Sequence, residues 1–145
     1  MSFQYTLQKV LELKQSQKNE FEAAYKDATD HFEKVATQLY HLLKKKEGLE
    51  EMARNQLQQG TSIKAIQFQE TTLSQLEKEI LILQQQTQQA RLKMVNRQDQ
   101  LMNATVEMKK YEKIKQREHE QYKEESKRIE LLEMNELSIQ AYANR

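Results

Sequence analysis

The chain has 145 residues, enough for one domain, and balances 23 basic side chains against 22 acidic ones. Hydrophobic residues make up 37% and charged ones 31%, and the mean hydropathy of −0.96 is too polar for a core several layers thick. Leu, Ile, Met, Tyr and Phe nevertheless recur throughout, which excludes a typical disordered composition, and the near-neutral charge argues against nucleic acid as a partner.

A single narrow apolar stripe along the molecule satisfies both facts. The chain contains no Pro, and its 2 glycines are Gly48 and Gly60. Pro costs a helix interior about 3 kcal/mol and Gly about 1, so a chain nearly free of both reads as continuous helix. The 21 Gln add good helix formers without charge. The first helix is expected over about residues 3–59. Steps of four and three residues from Leu7 reach Leu11, Lys14, Lys18, Phe21, Tyr25, Ala28, Phe32, Val35, Leu39, Leu42, Lys46, Leu49 and Ala53. All but the three lysines are apolar or aromatic. A period of 3.5 residues held this long keeps one face against a partner helix and implies a left-handed supercoil.

The reversal falls at Gln58-Gln59-Gly60-Thr61-Ser62. Gly suits the left-handed residue after a helix C-terminus, and Ser or Thr suits the next N-cap. Gly48 is a rival break, but Leu49 keeps the register, so Gly48 reads as a soft point within the first helix.

The second helix is expected over about residues 63–142. Its seam is Leu73, Leu76, Ile80, Leu83, Thr87, Ala90, Met94, Arg97, Leu101, Ala104, Met108, Tyr111, Lys115, Glu118, Tyr122, Glu125, Ile129, Leu132, Glu136 and Ile139. From Lys115 onward charged and apolar residues alternate. At about 1.5 Å per residue the helices would be roughly 80 and roughly 120 Å long, so the second overhangs the first. Folding back about Gly60 sets Phe3 opposite a residue near 117, where the seam loses quality. The expected architecture is all-α: one domain, an antiparallel coiled-coil hairpin with a longer, overhanging second helix. The tail, residues 118–145, keeps Tyr122, Ile129, Leu131, Leu132, Met134, Leu137, Ile139 and Tyr142, and apolar residues without an internal partner point to an external one. The competing reading is a frayed end.

The residues offer no chemistry. The chain has no Cys, which removes disulfides, thiolate metal sites and a Cys nucleophile and fits a cytoplasmic location. His31, His41 and His119 lack ligand spacing and read as solvated surface residues. Two isolated glycines cannot form a phosphate loop, and a helical hairpin has no cleft to desolvate a carboxylate pair. Neither an enzyme, a metal nor a cofactor is expected. Lys44-Lys45-Lys46 beside Glu47, Glu50 and Glu51 reads as a solvated face, and the glutamines of 84–89 as the outer face of a helix. The opening Met1-Ser2-Phe3-Gln4-Tyr5 is not a signal peptide by pattern, and Ile80-Leu81-Ile82-Leu83 is too short to span a membrane, so direct membrane insertion is not expected.

The opening Phe3-Gln4-Tyr5-Thr6-Leu7-Gln8-Lys9-Val10-Leu11-Glu12-Leu13-Lys14 resembles the start of the FliJ family, small coiled-coil proteins of the flagellar type III export apparatus. The likeness continues through Gly60-Thr61-Ser62-Ile63, Leu73-Ser74-Gln75-Leu76-Glu77-Lys78-Glu79-Ile80 and Met134-Asn135-Glu136-Leu137-Ser138-Ile139-Gln140-Ala141-Tyr142. The resemblance implies a non-enzymatic cytoplasmic component, peripheral at the membrane through its partners. Those partners are the ring-forming export ATPase FliI, the export gate FlhA and export chaperones. It also implies helix termini that enter the ATPase ring and a loop half that faces the gate. Tyr122, Ile129, Leu132, Ile139 and Tyr142 would then be ring-binding residues. The family's gate-contacting face maps here onto Gln38, Leu42, Leu49, Leu76 and Leu83, although the four leucines also lie in the seam and could be ordinary hairpin core. Lys45, Thr72 and Glu79 on that face depart from the family's aromatic or small residues. The alternative reading is a generic coiled-coil scaffold or tether.

Overall fold

The computed structural model describes residues 5–144. Two helices, α1 (Gln8–Gln59) and α2 (Ile63–Ala143), make up nearly all of it, and no strand occurs among the described residues. They pack against each other as an antiparallel hairpin, in line with the sequence pattern. The expected helix start at Phe3 lies outside the described residues. A turn precedes α1, in which the Gln8 N–H donates to the Tyr5 carbonyl at 3.1 Å and the Leu11 N–H to that of Leu7 at 2.9 Å.

The reversal is built from the two residue types that such a turn requires. Gly60 has φ +91°, left-handed backbone that a side chain would strain. Ser62 then caps α2: its Oγ accepts from the Ala65 N–H at 3.1 Å, and its carbonyl accepts from the Ile66 N–H at 3.2 Å. Gly48 lies within α1, and nothing stands within 4 Å of where its Cβ would be.

The chain divides into two compact units. In Phe21–Leu101 the pairing of α1 with α2 is anchored by a side-chain hydrogen bond from Gln69 to Gln56 and by Lys46 Nζ, 3.7 Å from Glu77. Its core is one residue wide: Ala28 and Val35 from α1, Leu76, Ile80 and Ala90 from α2, each no more than 6% exposed. Phe21, Tyr25, Phe32, Leu39, Leu42, Leu49, Leu73, Leu83 and Met94 are half-buried around them. Leu81 and Ile82, immediately beside Ile80, are 57% and 54% exposed, because a lone partner helix can cover only one face of α2. Polar seam residues are satisfied locally. Thr87 Oγ1 donates to the Leu83 carbonyl at 2.6 Å, and Lys46 also reaches Glu50 at 3.8 Å. The Arg97 guanidinium donates to Gln100 Oε1 at 3.0 Å.

The other unit joins Met1–Glu20 to Met102–Arg145. Leu11, 2% exposed, and Tyr5, 6% exposed, are its buried hydrophobics. The Tyr5 hydroxyl donates to the Tyr111 carbonyl at 3.1 Å. Burial, and then the negative charge of Glu118, hold that hydroxyl's pKa above its ordinary value of 10.0. Lys14 occupies a seam position, with its ammonium 3.9 Å from Glu107 and 6.0 Å from the centre of the Tyr111 ring. The seam does not give out near Tyr111 and Lys115, as its composition suggests. Lys115, Glu118, His119 and Tyr122 are all half-buried. A long charged side chain can lay its carbons along the partner while its head stays in water, so a charged seam position is not a lost one.

The one-sided core has a direct energetic signature. Ile80→Ala should lower unfolding free energy by about 2–4 kcal/mol, whereas Ile82→Ala, two residues away, should change it by no more than about 0.5 kcal/mol. Chemical denaturation followed by circular dichroism reads both, and equal effects would contradict the face assignment. The two glycines should respond with opposite signs. Gly48→Ala should stabilise by about 0.5–1 kcal/mol through helix propensity, and Gly60→Ala should destabilise by about 1 kcal/mol or more through its left-handed backbone.

Candidate partner-binding surfaces

The end of α2 is the largest stretch without cover: every residue of 127–144 is exposed. The large hydrophobics among them are Ile129, Leu131, Leu132, Met134, Leu137, Ile139 and Tyr142. At about 100° per residue, these side chains do not form one stripe. Ile129, Leu132 and Ile139 lie along one line and Leu131, Met134 and Tyr142 along another, so together they span more than half of the circumference. Glu130, Glu133 and Glu136, with Gln140 and Asn144, occupy most of the rest. A helix apolar around most of its girth is one that a partner encloses rather than one that lies on a flat surface. Local propensity has to hold this segment helical, since every one of its residues is exposed.

The remaining expected partner-binding residues fall in different environments. Tyr122 is half-buried rather than free, so the uncovered stretch begins later than residue 118. Near the turn, Gln38 is exposed and Leu42, Leu49 and Leu83 are half-buried, while Leu76 is 4% exposed and belongs to the core. Leu76 therefore offers no surface in this hairpin. It acts on any partner only through the seam that it holds together, beside the Lys46–Glu77 pair that ties α1 to α2 there. Lys45, Thr72 and Glu79 place polar atoms beside these leucines, and the Thr72 hydroxyl is already engaged with the Phe68 carbonyl at 2.9 Å.

Two surfaces escape the sequence reading because they lie off the seam. At the turn, Met52, Leu57, Ile63 and Phe68 are 55%, 60%, 74% and 73% exposed. On α2, Leu81, Leu92 and Val95 are 57%, 61% and 43% exposed, beside a shallow groove lined by Leu81, Gln84, Gln85, Gln88 and Gln89. The signal for the second exists in the sequence, since Leu81, Gln85, Gln88, Leu92 and Val95 step by four and three, but a stripe beside a stronger stripe is read as background.

His31 and His41 are exposed and His119 is half-buried. Among the described residues no three His, Asp or Glu side chains gather as metal ligands, and no helix is long and apolar enough to cross a membrane.

Comparison with known proteins gives these surfaces a context. The family model for the flagellar FliJ protein matches residues 3–145. The flagellar FliJ protein of Bacillus subtilis (strain 168) is 31% identical over 142 residues, covering 98% of this chain and 97% of that relative. No solved structure matches.

The exposure of the tail predicts how its backbone behaves. In dilute solution, amides of residues 127–144 should exchange with solvent orders of magnitude faster than those around Ile80 and Ala90, because only fraying separates them from water. Uniform protection along α2 in hydrogen-exchange mass spectrometry would contradict this.

Proposed function

The chain belongs to the flagellar FliJ protein family, and on that premise we propose that it is a non-enzymatic coupling component of flagellar protein export that holds the ring-forming export ATPase at one end and the export gate at the other. Membership of the family supports the export apparatus as its setting. The observation that carries the finer reading is the apolar girth of residues 127–144, exposed on every side. A ring with a central opening encloses a helix on all sides, and so can bury side chains that no flat surface reaches together. In this reading Ile129, Leu132, Ile139 and Tyr142 enter the ring and Tyr122 marks its rim. Chemistry remains in the ATPase; the hairpin reports or transmits its state.

The gate contact is assigned to the turn-side half. Gln38 supplies an exposed polar contact, Leu42, Leu49 and Leu83 contribute the edges that the seam leaves uncovered, and Leu76 supports them from beneath. Export chaperones are further partners suggested by the same resemblance. The location that goes with this assembly is cytoplasmic, at the membrane face through partners. A generic coiled-coil tether, the competing reading, has no reason to place an acidic stripe and an apolar girth on a single unpaired end.

Removal of residues 123–145 should abolish co-purification with the ring ATPase while leaving the helical signal and unfolding midpoint of Phe21–Leu101 nearly unchanged. Gln38→Ala should weaken binding of the gate's soluble portion without loss of stability. Undiminished ATPase binding by the truncated chain would remove the tail from this role.

A further inference from the structure

The outer face of α2 and its tail carry complementary patterns. Between Ile80 and Asn96 the only charged residues are Arg91 and Lys93, both exposed, and they flank a stripe of Leu81, Gln85, Gln88, Leu92 and Val95 at helical spacing of four, three, four and three. That spacing suits a partner helix in the way the main seam does, and the face is otherwise uncharged and studded with glutamines able to donate and accept. From residue 129 to residue 144 the only charged residues are Glu130, Glu133 and Glu136, all exposed beside Ile129, Leu132 and Ile139. One segment is apolar with two cations, the other apolar with three carboxylates. Their lengths agree: residues 81–95 and 129–142 each span about 20 Å of helix.

We propose that this outer face of α2 is a docking site for the tail, residues 129–142, of a second copy of the chain. The occupant has to come from another molecule, because α2 runs unbroken over Ile63–Ala143 and its tail cannot turn back onto residues 81–95 of the same helix. Charge complementarity selects this occupant over the turn-end patch, where Arg54 and Lys64 stand among the carboxylates of Glu51 and Glu70 and the charge is mixed. Because each copy carries both a tail and a face, two copies can exchange tails as a two-fold pair in which one side of each tail is covered. The contact is short and its ion pairs are exposed, which sets its strength in the micromolar range and makes it salt-sensitive. The pairing is independent of the ATPase assignment but has a consequence for it: a paired tail is unavailable to a ring, so the two associations exclude each other.

Sedimentation velocity of the full chain alone, over roughly 1–200 μM at low and high ionic strength, tests this. A concentration-dependent dimer is expected, with its dissociation constant raised several-fold by salt. Charge reversal in the tail (Glu130→Lys, Glu133→Lys, Glu136→Lys) should raise that constant by about tenfold or more. Reversal on the face (Arg91→Glu, Lys93→Glu) should do the same, and combining both sets should restore association to near the original value. All substituted positions are exposed, and an unchanged circular dichroism spectrum verifies folding. A monomer at every concentration, or a dimer indifferent to both charge sets, would overturn the proposal. Neither result bears on ATPase binding, which is read separately by co-purification.

Discussion

Everything in this molecule depends on one apolar line shared by two helices. A helix in a globular core touches neighbours on several sides; here each helix has one partner and one covered face. Leu11, Ala28 and Val35 from α1 and Leu76, Ile80 and Ala90 from α2 are nearly all that is deeply buried. Helix propensity has to supply what a thicker core would otherwise provide, and this explains a chain with no Pro, 2 Gly and 21 Gln. It also explains why the one place that needs a left-handed residue carries Gly60, followed at once by the Ser62 cap.

A single line specifies register poorly when every residue on it is aliphatic, since one heptad resembles the next. The polar seam residues resolve this. Lys46 finds Glu77 across the hairpin and, in the other unit, Lys14 finds Glu107 and the Tyr111 ring. The Tyr5 hydroxyl adds a bond to a main-chain carbonyl. Each contact is worth little by itself at such exposure. Together they penalise a slip of the helices, which would leave lysines in the seam facing apolar side chains.

The same economy produces the functional surfaces. Two helices of 52 and 81 residues cannot pair along their whole length, so the longer one ends without cover. Its apolar residues stay in contact with water in the isolated hairpin, and the proposed engagement of partners rests on them. Glu130, Glu133 and Glu136 make that end acidic, and Arg91 and Lys93 give the outer face of α2 the opposite charge. A hairpin this thin has no interior in which to hide a site. Its recognition must use the exterior of helices that are already formed.

The sequence by itself determined the helices, their period, the reversal at Gly60 and the polarity between a turn end and an apolar tail. These are local matters, decided by propensity, spacing and capping over a few residues at a time. Tertiary structure alone decided how deep each seam position lies. Leu76 is core and Leu42, Leu49 and Leu83 are half-buried, although all four are leucines at equivalent positions, because depth depends on which residue of the opposite helix lies across from each. The half-burial of Lys115, Glu118 and Tyr122 was likewise beyond composition, since charged residues at seam positions count as polar letters whatever covers their carbons. The stripe through Leu81, Leu92 and Val95 lies off the seam, and only the packed hairpin shows how much of it stays in water. A sequence shows that a residue is apolar; only the packed partner shows whether water still reaches it.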